Sequence, residues 1–177
     1  MSNKFTVRHL TYDAMLAAMY FALSFITIRI GSNMKISVSG LPILIAGLLF
    51  GPTHGFLVGL LGAFLEQLFS EYGLAPTTAL WVLPAAIRGL VVGLYAKGRR
   101  FEMNKGQILF ITLLSAIVLT VCNTLAMYID SKLLGYYTYA YVFGMLLWRF
   151  LSGIAISIVF ALILPPLLQG IRKIVKA

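Results

Sequence analysis

Apolar residues fill six runs along the chain, each interrupted by a short polar or Gly/Pro-containing stretch. The runs cover about Leu10–Ile30, Gly40–Phe50, Thr53–Ser70, Thr78–Ala96, Gln107–Ile129 and Tyr141–Leu168. A helix that crosses a bilayer needs roughly 17 to 25 mostly apolar residues, and only the second run falls short of that. It stops at Gly51-Pro52, a strong helix breaker. Fused to the third run it would be too long for one bilayer, so the two read as helices joined by a tight hairpin. The pattern predicts an all-α integral membrane protein, a six-transmembrane-helix bundle forming one domain over residues 1–177.

Composition fits that reading. The chain is 60% hydrophobic and only 11% charged, with a mean hydropathy of +0.95. A soluble domain of this size could not bury so much apolar surface, so the bilayer must solvate it. A formal net charge of +9 would suit a nucleic-acid partner, but its placement argues for topology instead. Lys4, Arg8, Lys97, Arg99, Arg100, Lys105, Arg172, Lys173 and Lys176, nine of the 14 basic residues, fall in the N-terminal tail, the fourth loop and the C-terminal tail. With six spans those regions share one side, and the positive-inside rule makes it cytoplasmic. The expected protein is multi-pass in the plasma membrane, with both termini inside, lipid around it and no nucleic acid bound. Loops 31–39, 71–77 and 130–140 then face outward. Cys122 sits alone in an apolar run, which excludes a disulfide framework, and no cleavable signal peptide ahead of a soluble domain is expected.

Charges at membrane depth are costly and point to function. Arg88 lies near the middle of the fourth run and Arg149 about two turns into the sixth. Glu66 and Gln67 come one turn before the outer end of the third run, and Asn123 lies in the outer part of the fifth. Arg29 closes the first run, and Lys35 follows in the loop. All occupy the middle or outer half of the membrane, whereas the inner half holds little charge beyond Asp13. A polar cluster open to the outside describes a ligand pocket, and its excess of cations favours an anionic ligand. The planar guanidinium fork suits a carboxylate. Trp81 and Trp148 are the aromatics best placed to stack on a ligand ring, although Trp and Tyr line membrane interfaces generally. The competing structural reading pairs Arg88 with Glu66 as internal glue, in an assembly subunit without a ligand.

Ala14, Ala18 and Ala22 make a smooth stripe on the first helix, where another helix could approach closely. Gly55 and Gly59, and Gly89 and Gly93, share the same spacing and read as packing contacts inside the bundle. His9 and His54 read as interfacial polar residues, away from the cluster. No HExxH, CxxC, GxSxG or GxxxxGK[ST] motif occurs, so no enzyme, metal site, cofactor or nucleotide site is expected. A solitary carrier would show inverted repeats with matching broken helices, and none is visible.

The segment Gly40-Leu41-Pro42-Ile43-Leu44-Ile45-Ala46-Gly47-Leu48-Leu49-Phe50-Gly51-Pro52, the glycine-rich stretch Gly55 to Gly62 and the alanine stripe together resemble the S components of energy-coupling factor (ECF) transporters, most of all the folate-type branch. That branch often carries Asp after the glycines, where this chain has Ala63 and then Glu66. The resemblance implies a subunit that captures a vitamin from outside and docks on a transmembrane scaffold carrying two ABC ATPases. It maps the docking surface onto Ala14, Ala18 and Ala22. A carboxylated vitamin is implied, folate first and pantothenate as the alternative, held by Arg29, Lys35, Glu66, Gln67, Trp81, Arg88, Asn123, Trp148 and Arg149.

Overall fold

The computed structural model describes residues 7–30, 34–70 and 73–176. In order these form α1 (Val7–Ser24), β1 (Thr27–Ile30), β2 (Met34–Ser37), α2 (Gly40–Phe50), α3 (Pro52–Leu68), α4 (Thr78–Gly98), α5 (Lys105–Leu133), the short α6 (Tyr139–Phe143) and α7 (Leu146–Lys176). The protein is an all-helical membrane bundle, apart from one two-stranded hairpin. The segments Thr78–Gly98, Lys105–Leu133 and Tyr139–Lys173 are long and apolar enough to cross a membrane, and Gly40–Phe50 is a shorter apolar helix.

The first helix is shorter than its apolar run suggests. Helix α1 ends at Ser24, and residues 27–30 pair antiparallel with 34–37, Thr27 opposite Ser37 and Ile30 opposite Met34. The alternation Thr-Ile-Arg-Ile, rich in β-branched residues, fits a strand better than another helical turn. The expected outer loop 31–39 therefore carries a strand. The sixth run divides as well. A turn at Gly144 separates α6 from α7, which continues through Pro165 and Pro166 to Lys176.

The Gly51-Pro52 break is as expected. Gly51 takes a φ of 104°, a left-handed conformation that favours glycine, and Pro52 opens α3 where its missing N–H costs nothing. The hairpin places α2 in the centre of the bundle. Gly40 and every residue from Pro42 to Leu48 are buried. A helix hidden on all sides need not match the bilayer thickness, which is why eleven residues suffice. One apolar core joins Leu44, Ile45 and Leu48 of α2 to Val92, Ile111, Phe160 and Leu164 of α4, α5 and α7. A second joins Tyr20, Ile43, Ala46, Val58, Ala63, Val82 and Ala85, linking α1 to α4. Exposed Leu90, Leu94, Phe110, Leu151, Ile158 and Leu162 face outward, as a bilayer solvent requires.

Glycines set the spacing of α3 and α4. A Cβ on Gly89 would lie 2.0 Å from the Gly55 carbonyl oxygen, one on Gly55 2.4 Å from that of Gly89, and one on Gly59 2.4 Å from that of Ala85. The glycine spacing read from the sequence is thus a seam of touching backbones.

Candidate functional site

The helix ends on the hairpin side of the bundle surround a cavity of about 250 Å³. Its wall takes Tyr20 from α1, Ser37, Ser39 and Gly40 from the hairpin and the start of α2, and Glu66 and Gln67 from α3. Trp81, Ala85 and Arg88 come from α4, Thr120, Asn123 and Met127 from α5, and Arg149, Ser152 and Ser157 from α7. Of the residues singled out in the sequence, Glu66, Gln67, Trp81, Arg88, Asn123 and Arg149 meet here, although they lie on four helices. Trp148 does not join them: it is 61% exposed on the outer surface, because its neighbour Arg149 takes the inward direction. Arg29 and Lys35 are backbone partners across the hairpin, and their side chains lie outside the described residues.

Arg88 is only 6% exposed. Its Nε donates to Ser115 Oγ at 3.3 Å, and its guanidinium sits 6.0 Å from the Phe160 ring centroid. Ser115 Oγ in turn donates to the Thr112 carbonyl at 2.8 Å, and Ser157 Oγ donates to the same carbonyl at 3.2 Å. This hydroxyl seam between α5 and α7 fixes the inner end of the arginine. No salt bridge joins Arg88 to Glu66 among the described residues. Instead the Tyr20 hydroxyl donates to Glu66 Oε2 at 2.9 Å, so the glue expected of an assembly subunit is not the pairing found. Arg149 extends Nη1 to the Val142 carbonyl at 3.5 Å, while its Nε and Nη2 are buried with no hydrogen-bond partner among the described residues. Two such donors in one cavity can grip a planar acid.

Gly40 makes room for Arg88. A Cβ there would fall 2.2 Å from Nη1, so the guanidinium must shift within the cavity it lines. Gly40→Ala is expected to displace Arg88 and weaken ligand affinity roughly tenfold, about 1.4 kcal/mol, which isothermal titration in detergent would measure. Gly62 does the same for Tyr20, whose ring would lie 2.7 Å from an added Cβ.

Sequence reasoning missed Tyr20, Ser39, Gly40, Thr120 and Ser157. Tyr20 lies in an apolar helix like any interfacial tyrosine. The hydroxyl residues of α5 bond back to their own helix, Thr120 Oγ1 to the Ala116 carbonyl at 2.9 Å for example, and carry no spacing signal. His54 was also misjudged. It is buried, and its Nδ1 meets Asp13 Oδ2 at 2.7 Å, because α1 lies directly against α3.

A protein-family model described as the S component of ECF-type riboflavin transporters matches residues 4–173. The chain belongs to the ECF S-component family. Among solved structures, the S component of a bacterial ECF transporter superposes with a TM-score of 0.68 at 25% identity, covering 93% of this chain and 97% of that one. FolT bound with folic acid gives the same TM-score at 20% identity, covering 93% and 95%. An S component for biotin gives 0.63 at 18% identity, covering 92% and 94%. The last two likenesses concern the fold. A UPF0397 protein of Vibrio atlanticus is 33% identical over 92 residues, 52% of this chain and 49% of that protein. A UPF0397 protein of Streptococcus pneumoniae is 32% identical over 98 residues, 55% and 52% of the two chains. The S component thus spans about half the length of the curated relatives it matches.

Proposed function

We propose that this S component captures a carboxylated vitamin, folate first among candidates, from outside the cell and hands it to an ATP-driven coupling module. The protein acts as a binding subunit and performs no chemistry on its ligand. The observation that carries the reading is the convergence of Arg88 and Arg149 on one cavity, with two buried donors of Arg149 lacking an acceptor among the described residues. A carboxylate would satisfy them with charge-assisted bonds. Trp81 and Tyr20 supply faces for a flat ring, and Glu66, Gln67 and Asn123 supply donors and acceptors for its edge. The cavity lies just under the ~300–1,000 Å³ of drug-sized sites, so a bicyclic ring would sit inside with its tail at the mouth.

The basic residues at 97–105 and 172–176 support a cytoplasmic setting for the opposite end of the bundle and both termini. Ala14, Ala18 and Ala22 are all exposed on α1, as a surface that receives a scaffold helix would be. The scaffold and its two ATPases supply the energy.

A second reading is riboflavin, which the description of the matching family model favours. Riboflavin lacks a carboxylate and would leave the arginines to bond neutral oxygens. Pantothenate keeps the acid but needs no aromatic wall. Titrating the purified protein with folate, pantothenate and riboflavin, beside mass spectrometry of small molecules carried through purification, separates the three. Submicromolar folate binding is the expected result. Tight riboflavin binding without folate binding would overturn the acid-gripping role of the arginines.

A further inference from the structure

The Asp13–His54 pair lies outside the cavity, and ligand capture makes no use of it. It sits two turns along α1 from Tyr20, about 10 Å at 1.5 Å per residue. Both partners are nearly sealed, Asp13 at 1% exposure and His54 at 6%. His54 Nδ1 and Asp13 Oδ2 share a 2.7 Å hydrogen bond. The surroundings are aromatic. Tyr12 stacks on Phe50 at 5.6 Å, and Phe50 and His9 pack against the His54 ring at 5.8 and 5.4 Å.

Buried pairs of this kind contribute little stability, because desolvation offsets the attraction and apolar residues of similar size serve as well. Their best-attested use is register: the partners meet at one rotation and one axial position of the helix. The other polar tie from α1 to α3, Tyr20 to Glu66, lines the cavity and is open to rearrangement by a ligand. Asp13 and His54 do not line the cavity. Ala14, Ala18 and Ala22 follow Asp13 at roughly 100° to 180° around the helix, and all three are exposed.

We propose that Asp13 and His54 are positioning residues for partner docking: their buried bond fixes the rotation of α1 and so presents the alanine face to the scaffold. The inference rests on the docking role proposed above for that face. Neither residue touches the ligand or the partner.

The test uses the full chain in nanodiscs, with association to the purified scaffold–ATPase module as the readout and thermal unfolding as the control. The double variant Asp13→Leu/His54→Phe should unfold within a few degrees of the parent, since packing replaces the pair. Its association should weaken about tenfold or more, because a pin for register has gone. The exchange Asp13→His/His54→Asp should restore association to within about threefold of the parent by rebuilding the bond in reverse. Unchanged association in the Leu/Phe variant, a large parallel fall in its unfolding temperature, or a folded exchange variant that fails to rescue would each overturn the proposal. Ala18→Trp tests the underlying reading separately: if that variant associates normally, the alanine face is not the docking surface.

Discussion

Replacing Arg88 with Ala is expected to weaken ligand binding about 30-fold or more while leaving the unliganded protein at least as stable as before. The two halves have different causes. Removing one member of a buried, hydrogen-bonded charge pair costs roughly 2–5 kcal/mol of affinity, and each 1.4 kcal/mol is about tenfold. In the unliganded protein the same guanidinium is held by Ser115 and by the Phe160 face, with no carboxylate in salt-bridge contact among the described residues. A cation buried under those terms is a strain on the fold, as the proposed ligand-binding role would require. Arg88→Lys should retain part of the affinity through charge, and less than the parent because the planar fork is lost. Calorimetric titration and unfolding in the same detergent read both halves. A variant that loses affinity and stability together would mean that Arg88 is structural.

The second large effect falls on the fold. Gly89→Ala is expected to destabilise the protein by roughly 3 kcal/mol, near the upper end for overpacking, and to lower its unfolding temperature by about 10 °C. The obstacle is the Gly55 carbonyl, 2.0 Å from the added Cβ. Backbone cannot swing aside as a side chain can, so α3 and α4 must separate along the seam. Gly98→Ala is the control. It lies on the same helix with nothing near its added Cβ and should leave unfolding unchanged or slightly raised.

The contrast between seam and cavity explains what could be read from the sequence. Six helices, the Gly51-Pro52 hairpin and the packing glycines follow from local chemistry: run length, a breaking dipeptide, and small residues at a spacing of four. The cavity was legible through its cost. Arg88, Arg149 and Glu66 stand out in apolar helices because charge at that depth needs a reason. Residues that are cheap in the membrane escaped notice. Thr120 and Ser157 bond to helix carbonyls and could sit anywhere in a span. Asp13 and His54 were each visible, yet their partnership depends on how α1 leans on α3, which no spacing within either helix encodes. The strand pair failed for another reason: Thr27 to Ile30 continues an apolar run without a break, and only its alternation separates it from helix.

The seam also sets how the molecule can move. Backbones in contact cannot slide without collision, so α3 and α4, with α2 enclosed beside them, travel as one slab. Helices α5 and α7 lie across the cavity from much of that slab, and Arg88 of α4 reaches over to Ser115 of α5. Arg88 belongs to the slab and Arg149 to the opposite leaf. An acid held by both, as proposed above, would tie the two plates together, and its release would require them to part.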